Sequence, residues 1–168
     1  IAFAIGGPGI ALAAVARGRT AFMKPTLPSL ALGIYGLFGY HALYFAALKL
    51  APPAEAHLLN SLWALFIVLF AALLPGHKLQ INHVFGALLG LAAAAILVWS
   101  KIGADGVATS SRLGFAFALG CALVWSSYSV ASRLLAGVPS ESLAVSCLAT
   151  AALAVVCNLT FETWTPPA

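Results

Sequence analysis

Between Glu55 and Lys78 the chain reads Ala56-His57-Leu58-Leu59-Asn60-Ser61-Leu62-Trp63-Ala64-Leu65-Phe66-Ile67-Val68-Leu69-Phe70-Ala71-Ala72-Leu73-Leu74-Pro75-Gly76-His77, 22 residues without an Asp, Glu, Lys or Arg. A helix needs about 20 mostly apolar residues to cross the hydrocarbon layer of a bilayer, and this stretch is long enough. Others match it: 24 uncharged residues separate Lys24 from Lys49, and 22 separate Lys78 from Lys101. Another 20 separate Arg112 from Arg133, 20 separate Glu141 from Glu162, and 16 precede Arg17. In hydrocarbon every backbone amide needs an internal partner, so such segments form helices. A β-barrel would use segments of about ten residues with alternating polarity, and these do not alternate. The predicted fold is all-α, a polytopic transmembrane helix bundle. Its six segments lie near residues 1–16, 29–50, 54–74, 81–100, 113–135 and 142–161.

The composition of the 168 residues excludes a soluble domain. Charged residues make up 7% and hydrophobic residues 62%, whereas a soluble domain carries about 25% charge. Mean hydropathy is +1.04. The net charge of +4 does not point to nucleic acid, because no basic patch with interleaved aromatics accompanies it. The basic residues stand at segment ends. Arg17, Arg19, Lys24, Lys78 and Arg133 fall on one side of an alternating topology, and Lys49, Lys101 and Arg112 on the other. The positive-inside rule then puts the linker after the first segment in the cytoplasm.

Leu50-Ala51-Pro52-Pro53 is a very short turn, so the flanking segments must be antiparallel neighbours. The prolines suit the start of a helix, where an amide lacks a partner anyway. The linker 101–112 is the longest and is rich in glycine and hydroxyl residues, which marks it as a boundary between two halves. Gly86 with Gly90 and Ala94, Ala116 with Gly120, and Gly33, Gly36 and Gly39 are small residues that let helix backbones approach. Their expected role is packing.

Tryptophan and tyrosine usually sit at the membrane interfaces, which suits Trp99 and Trp164. Trp63, Trp125 and Tyr40 instead fall near the middle of their segments, where N–H and O–H groups need partners. Trp125, Tyr128, Ser129 and Ser132 share one helix face by their i, i+3, i+4, i+7 spacing. Tyr40, His41 and Tyr44 share a face of another. Asn60 and Trp63 pair in the same way on a third, with His57 one turn earlier. Polar groups at membrane depth face a bundle interior or an aqueous cavity. The candidate site is therefore a central cavity lined by Tyr40, His41, Tyr44, Asn60, Trp63, Trp125 and Tyr128, and the alternative is interhelical hydrogen bonding without a ligand. His41 can bind a carboxylate, relay a proton or bond a neighbouring helix.

Nothing in the sequence marks an enzyme: there is no G-x-S-x-G, H-E-x-x-H, P-loop or C-x-x-C. Cys121, Cys147 and Cys157 lie within apolar segments and read as small hydrophobes, not as disulfides or ligands. His77 and His83 lack a third ligand, so neither a metal nor a cofactor is expected. Asn158-Leu159-Thr160 matches a glycosylation sequon by chance within an apolar run. The sequence begins at Ile1 and stops at Ala168 as though cut from something longer.

Pro53-Ala54-Glu55-Ala56-His57-Leu58-Leu59-Asn60, leading into Leu62-Trp63, resembles the fourth helix of the drug/metabolite transporter superfamily (EamA-type). The helix with Gly86 and Gly90 resembles that repeat's fifth. Gly114 through Ala122-Leu123-Val124-Trp125-Ser126-Ser127-Tyr128 to Arg133 resembles the opening helix of the second repeat. Tyr40-His41 with Tyr44, Trp63 and Trp125 is most similar to the aromatic amino acid exporters within that superfamily. Ser61 and Ala64 depart from the Tyr and Pro expected beside the tryptophan, and His77 stands where many members carry Glu.

The resemblance implies ten helices in two inverted five-helix repeats, of which six fall in this sequence. Residues 1–100 would be the last four helices of the first repeat, 101–112 the inter-repeat linker, and 113–168 the first two helices of the second. It also implies export of aromatic or other hydrophobic amino acids across a bacterial inner membrane by alternating access, without a cofactor. The rings would stack on the substrate side chain while His41 and Asn60 bond its carboxylate. The partners would be the amino acid and the lipid bilayer. A broad-specificity exporter of the same fold and a non-transporting membrane scaffold are the alternatives.

Overall fold

The computed structural model describes residues 2–18, 25–74, 81–105, 109–134 and 142–161. Among these residues there are helices and turns and no strand. Their order is α1 (Ala2–Ala16), α2 (Leu27–Ile34), a π-helical turn (Tyr35–Gly39), α3 (Tyr40–Leu50), α4 (Pro53–Asn60), α5 (Trp63–Ala71), α6 (Ile81–Asp105), α7 (Thr109–Leu134) and α8 (Leu143–Phe161). By length and composition Leu27–Leu50, Pro53–Ala71, Ser111–Leu134 and Leu143–Thr160 can each cross a membrane, and Ala2–Ala16 and Ile81–Ile96 are shorter apolar helices. Large apolar side chains are outward-facing on several helices, Leu12, Trp99 and Leu159 among the most exposed. Water would oppose that arrangement and acyl chains favour it.

The helix ends follow from local chemistry. Thr26 caps α2, its hydroxyl accepting from the Ser29 N–H while Ser29 Oγ donates to the Thr26 carbonyl at 2.8 Å. Beyond α1, Gly18 takes the left-handed φ of +68° that a side chain would resist. Arg19, Lys24, Lys78 and Trp164, which entered the charge and interface readings, and His77, which entered the metal reading, lie outside the described residues.

Two expected single helices are interrupted. The segment expected at 29–50 contains the π turn at Tyr35–Gly39, where Gly36 and Gly39 hold the α-helix weakly. The segment expected at 54–74 breaks between α4 and α5. There Ser61 sends both its N–H (3.0 Å) and its hydroxyl (2.9 Å) to the His57 carbonyl. Leu62 N–H bonds the Leu59 carbonyl and Ala64 N–H the Ser61 carbonyl, one residue closer than α-helical pairing. Around the expected linker 101–112 the helices instead run on, α6 to Asp105 and α7 from Thr109. Polar residues beyond the hydrocarbon continue a helix at little cost, since its backbone bonds are internal.

The contacts divide the chain into one unit of Ile1–Phe38 with Leu135–Ala168 and another of Gly39–Leu134. In the first, α1 and α2 each pack on α8. Gly33 admits Ser146 so closely that an added Cβ would come within 2.6 Å of the serine Cβ. In the second, α7 packs against α3, α4 and α5, and α6 touches α4 and α5. Its core is small: Ala47, Ala51, Ala56, Leu59, Leu62, Ala94, Phe115, Ala118 and Ala122. Alanines let these helices approach in place of a hydrophobic drive that lipid does not supply.

A candidate substrate site on helices α3, α4 and α7

Every candidate site residue lies in the second unit. Tyr40, at the start of α3, is the hub. The π turn Tyr35–Gly39 immediately precedes it along the chain, and such insertions recur at functional sites. One turn on, Tyr44 stacks on Tyr40 with centroids 5.8 Å apart and planes at 10°. His41 sits edge-on to Tyr40 at 5.0 Å. From α7, Trp125 approaches the Tyr40 ring to 5.2 Å at 51°, and Tyr128 lies 5.6 Å beyond Trp125 on the same face. From α4, the Asn60 amide Nδ2 donates to the Tyr40 hydroxyl at 2.9 Å. The structure thus joins Tyr40, His41, Tyr44, Asn60, Trp125 and Tyr128.

Trp63 stands apart. It opens α5 beyond the Ser61–Leu62 break, is 36% exposed, and no ring contact or hydrogen bond links it to the Tyr40 cluster among the described residues. The i, i+3 pairing with Asn60 assumed one continuous helix, and the break changes that register. Ser129 and Ser132, expected on the Trp125 face, turn their hydroxyls to the backbone carbonyls of Trp125 (2.7 Å) and Ser129 (2.9 Å).

Two participants were not expected. His57 Nδ1 lies 3.0 Å from the Tyr44 hydroxyl, with the rings 6.4 Å apart. The signal was available: Tyr44 and His57 stand at nearly equal distances along the chain on either side of the Ala51 turn. The Cys121 thiol, fully buried, donates to the Tyr40 carbonyl at 3.5 Å, so a residue read as a plain hydrophobe holds the hub from beneath.

Asn60 is 2% exposed. Its amide nitrogen is engaged, yet Oδ1 finds no hydrogen-bond partner among the described residues. A buried acceptor left in that state costs roughly 1–3 kcal/mol. Asn60 was expected to bond a carboxylate; of its two amide atoms, the one without a partner here is the acceptor Oδ1.

A model of the EamA-like transporter family matches residues 1–99. The aromatic amino acid exporter YddG of Ancylobacter novellus is 50% identical over 163 residues, covering 96% of this chain and 57% of that protein. A solved crystal structure superposes with a TM-score of 0.83 at 48% identity, over 99% of this chain and 57% of the other. The chain thus spans little more than half the length of these relatives. Apolar helices long enough to cross a bilayer, interrupted beside a cluster of rings, accord with a family match over more than half the residues: the chain belongs to the EamA-like transporter family.

Proposed function

We propose that the protein to which these residues belong exports amino acids, aromatic or otherwise hydrophobic, across a bacterial inner membrane by alternating access. The observation that carries this reading is the Tyr40 hub, where rings from α3 and α7 meet a buried amide from α4. Tyr40, Asn60 and Trp125 all fall near the middle of their spans, the depth at which repeat-built transporters place substrate. Ring-on-ring contacts contribute about 0.5–1.5 kcal/mol each beyond buried area, which favours an aromatic substrate side chain. Cation–π attraction from the same rings favours its ammonium. His41 offers the N–H for the carboxylate. Trp63 enters this scheme from the far side of the helix break. The relative named an aromatic amino acid exporter supports the substrate class.

In this proposal residues 1–100 are four helices of a first five-helix repeat, 101–112 joins the repeats, and 113–168 opens the second. The broken spans, Leu27–Leu50 and Pro53–Ala71, supply the hinges. A competition panel tests the reading on full-length protein in proteoliposomes preloaded with phenylalanine. Tryptophan, phenylalanine and tyrosine are expected to compete at least tenfold better than cationic dyes or small sugars. Equal competition by dyes would make the protein a broad-specificity exporter instead. No flux at all would favour a scaffold role.

A further inference from the structure

Resting on that reading, we infer that Asn60 and the C-terminal end of α4 form the half-site for the substrate's ammonium, not its carboxylate. Three observations converge there. The Asn60 amide nitrogen already donates to the Tyr40 hydroxyl, and the amide atom without a partner, Oδ1, can only accept. Only a donor satisfies it, and an amino acid presents its donors at the ammonium. Second, α4 ends at Asn60 itself. The C-terminal end of a helix carries partial negative charge, which attracts cations and repels carboxylates. Third, past the Ser61–His57 bond the ladder tightens to i, i−3 pairing, Leu62 to Leu59 and Ala64 to Ser61. Interrupted membrane helices use the C-terminal ends of their half-helices to hold cations.

The hub supplies the rest of the environment. Tyr40, with Tyr44 and Trp125 against its ring, offers aromatic faces to the same positive charge. Because the Tyr40 hydroxyl accepts from Asn60, its own proton is available to a further acceptor. Asn60 is covered in the conformation described here, so the ammonium reaches it when the packing of α3, α4 and α7 opens, as alternating access requires. The carboxylate is then left to groups away from α4, among them His41, edge-on to the Tyr40 ring.

The test uses full-length protein in proteoliposomes and two truncated probes as inhibitors of phenylalanine counterflow: phenethylamine, which keeps the ammonium, and 3-phenylpropionate, which keeps the carboxylate. In Asn60→Leu the inhibition constant of phenethylamine is expected to rise tenfold or more while that of 3-phenylpropionate stays within twofold. In Asn60→Asp, which retains the acceptor and adds charge, phenethylamine is expected to inhibit as well as in the wild type or better. This second variant keeps the question answerable should Asn60→Leu fail to fold. If 3-phenylpropionate is the probe that weakens in Asn60→Leu, the amide presents its donor and the assignment is overturned. Equal weakening of both probes, no change in either, or loss of phenethylamine inhibition in Asn60→Asp also overturns it. A wild-type protein without saturable phenylalanine flux ends the transport reading, a different result from any of these.

Discussion

Gly114 of α7 lies directly against Ala51 in the turn between α3 and α4, so close that a Cβ on the glycine would stand 2.7 Å from the Ala51 nitrogen and 2.6 Å from its Cβ. The obstacle is backbone, which cannot rotate away. This approach lets α7 pack against both arms of the hairpin and carries Trp125 to Tyr40. Gly86, by contrast, would meet nothing within 4 Å.

Gly114→Ala is accordingly expected to destabilise the protein by about 1–3 kcal/mol, the usual cost of overpacking. Gly86→Ala is expected to leave stability unchanged or raise it by up to about 1 kcal/mol through better helix propensity. Thermal unfolding of the two variants in one detergent checks this. A reversed order would mean that the hairpin contact is not where α7 is held.

The Tyr44 hydroxyl and His57 Nδ1, 3.0 Å apart, tie α3 to α4. Tyr44→Phe and His57→Ala should each destabilise the fold, and a double-mutant cycle should show coupling of about 0.5–1.5 kcal/mol. Additive losses would mean that the hydroxyl and the ring do not interact.

Cys121 is fully buried beneath Tyr40 and Cys147 is nearly so, whereas Cys157 is partly exposed. Maleimide labelling of the folded protein, followed by peptide mass spectrometry, is expected to modify Cys157 first. Cys121 should react at a comparable rate only after denaturation. Equal rates in the folded state would show that α7 opens readily at the site.

The membrane-spanning helical class was legible because hydrocarbon imposes a length and tolerates few charges, and both appear in plain residue counts. The antiparallel α3–α4 pair was equally legible from Ala51-Pro52-Pro53, which leaves the chain no room for another path. The breaks were not. Ser61 competes for the His57 carbonyl and Gly36 and Gly39 loosen their turn, but an apolar pattern reads straight through such local events. That is why Trp63 was grouped with Asn60; of the glycines expected to serve packing, Gly33 makes a tight approach and Gly86 none. Of the seven candidate residues, the six joined in the structure were found from depth and helical face alone. Which Asn60 atom faces the Tyr40 hydroxyl was not legible, because a sequence does not say which amide atom a neighbour uses.

The proposed transport depends on the aromatic hub around Tyr40, to which α7 contributes Trp125. The most direct measurement is radiolabelled phenylalanine and tryptophan uptake by proteoliposomes of the full-length protein, with and without Trp125→Ala. Saturable uptake in the wild type that falls at least tenfold in kcat/KM in Trp125→Ala is the expected result. Saturable uptake unchanged by the substitution, or no saturable uptake by a correctly inserted wild-type protein, would contradict it.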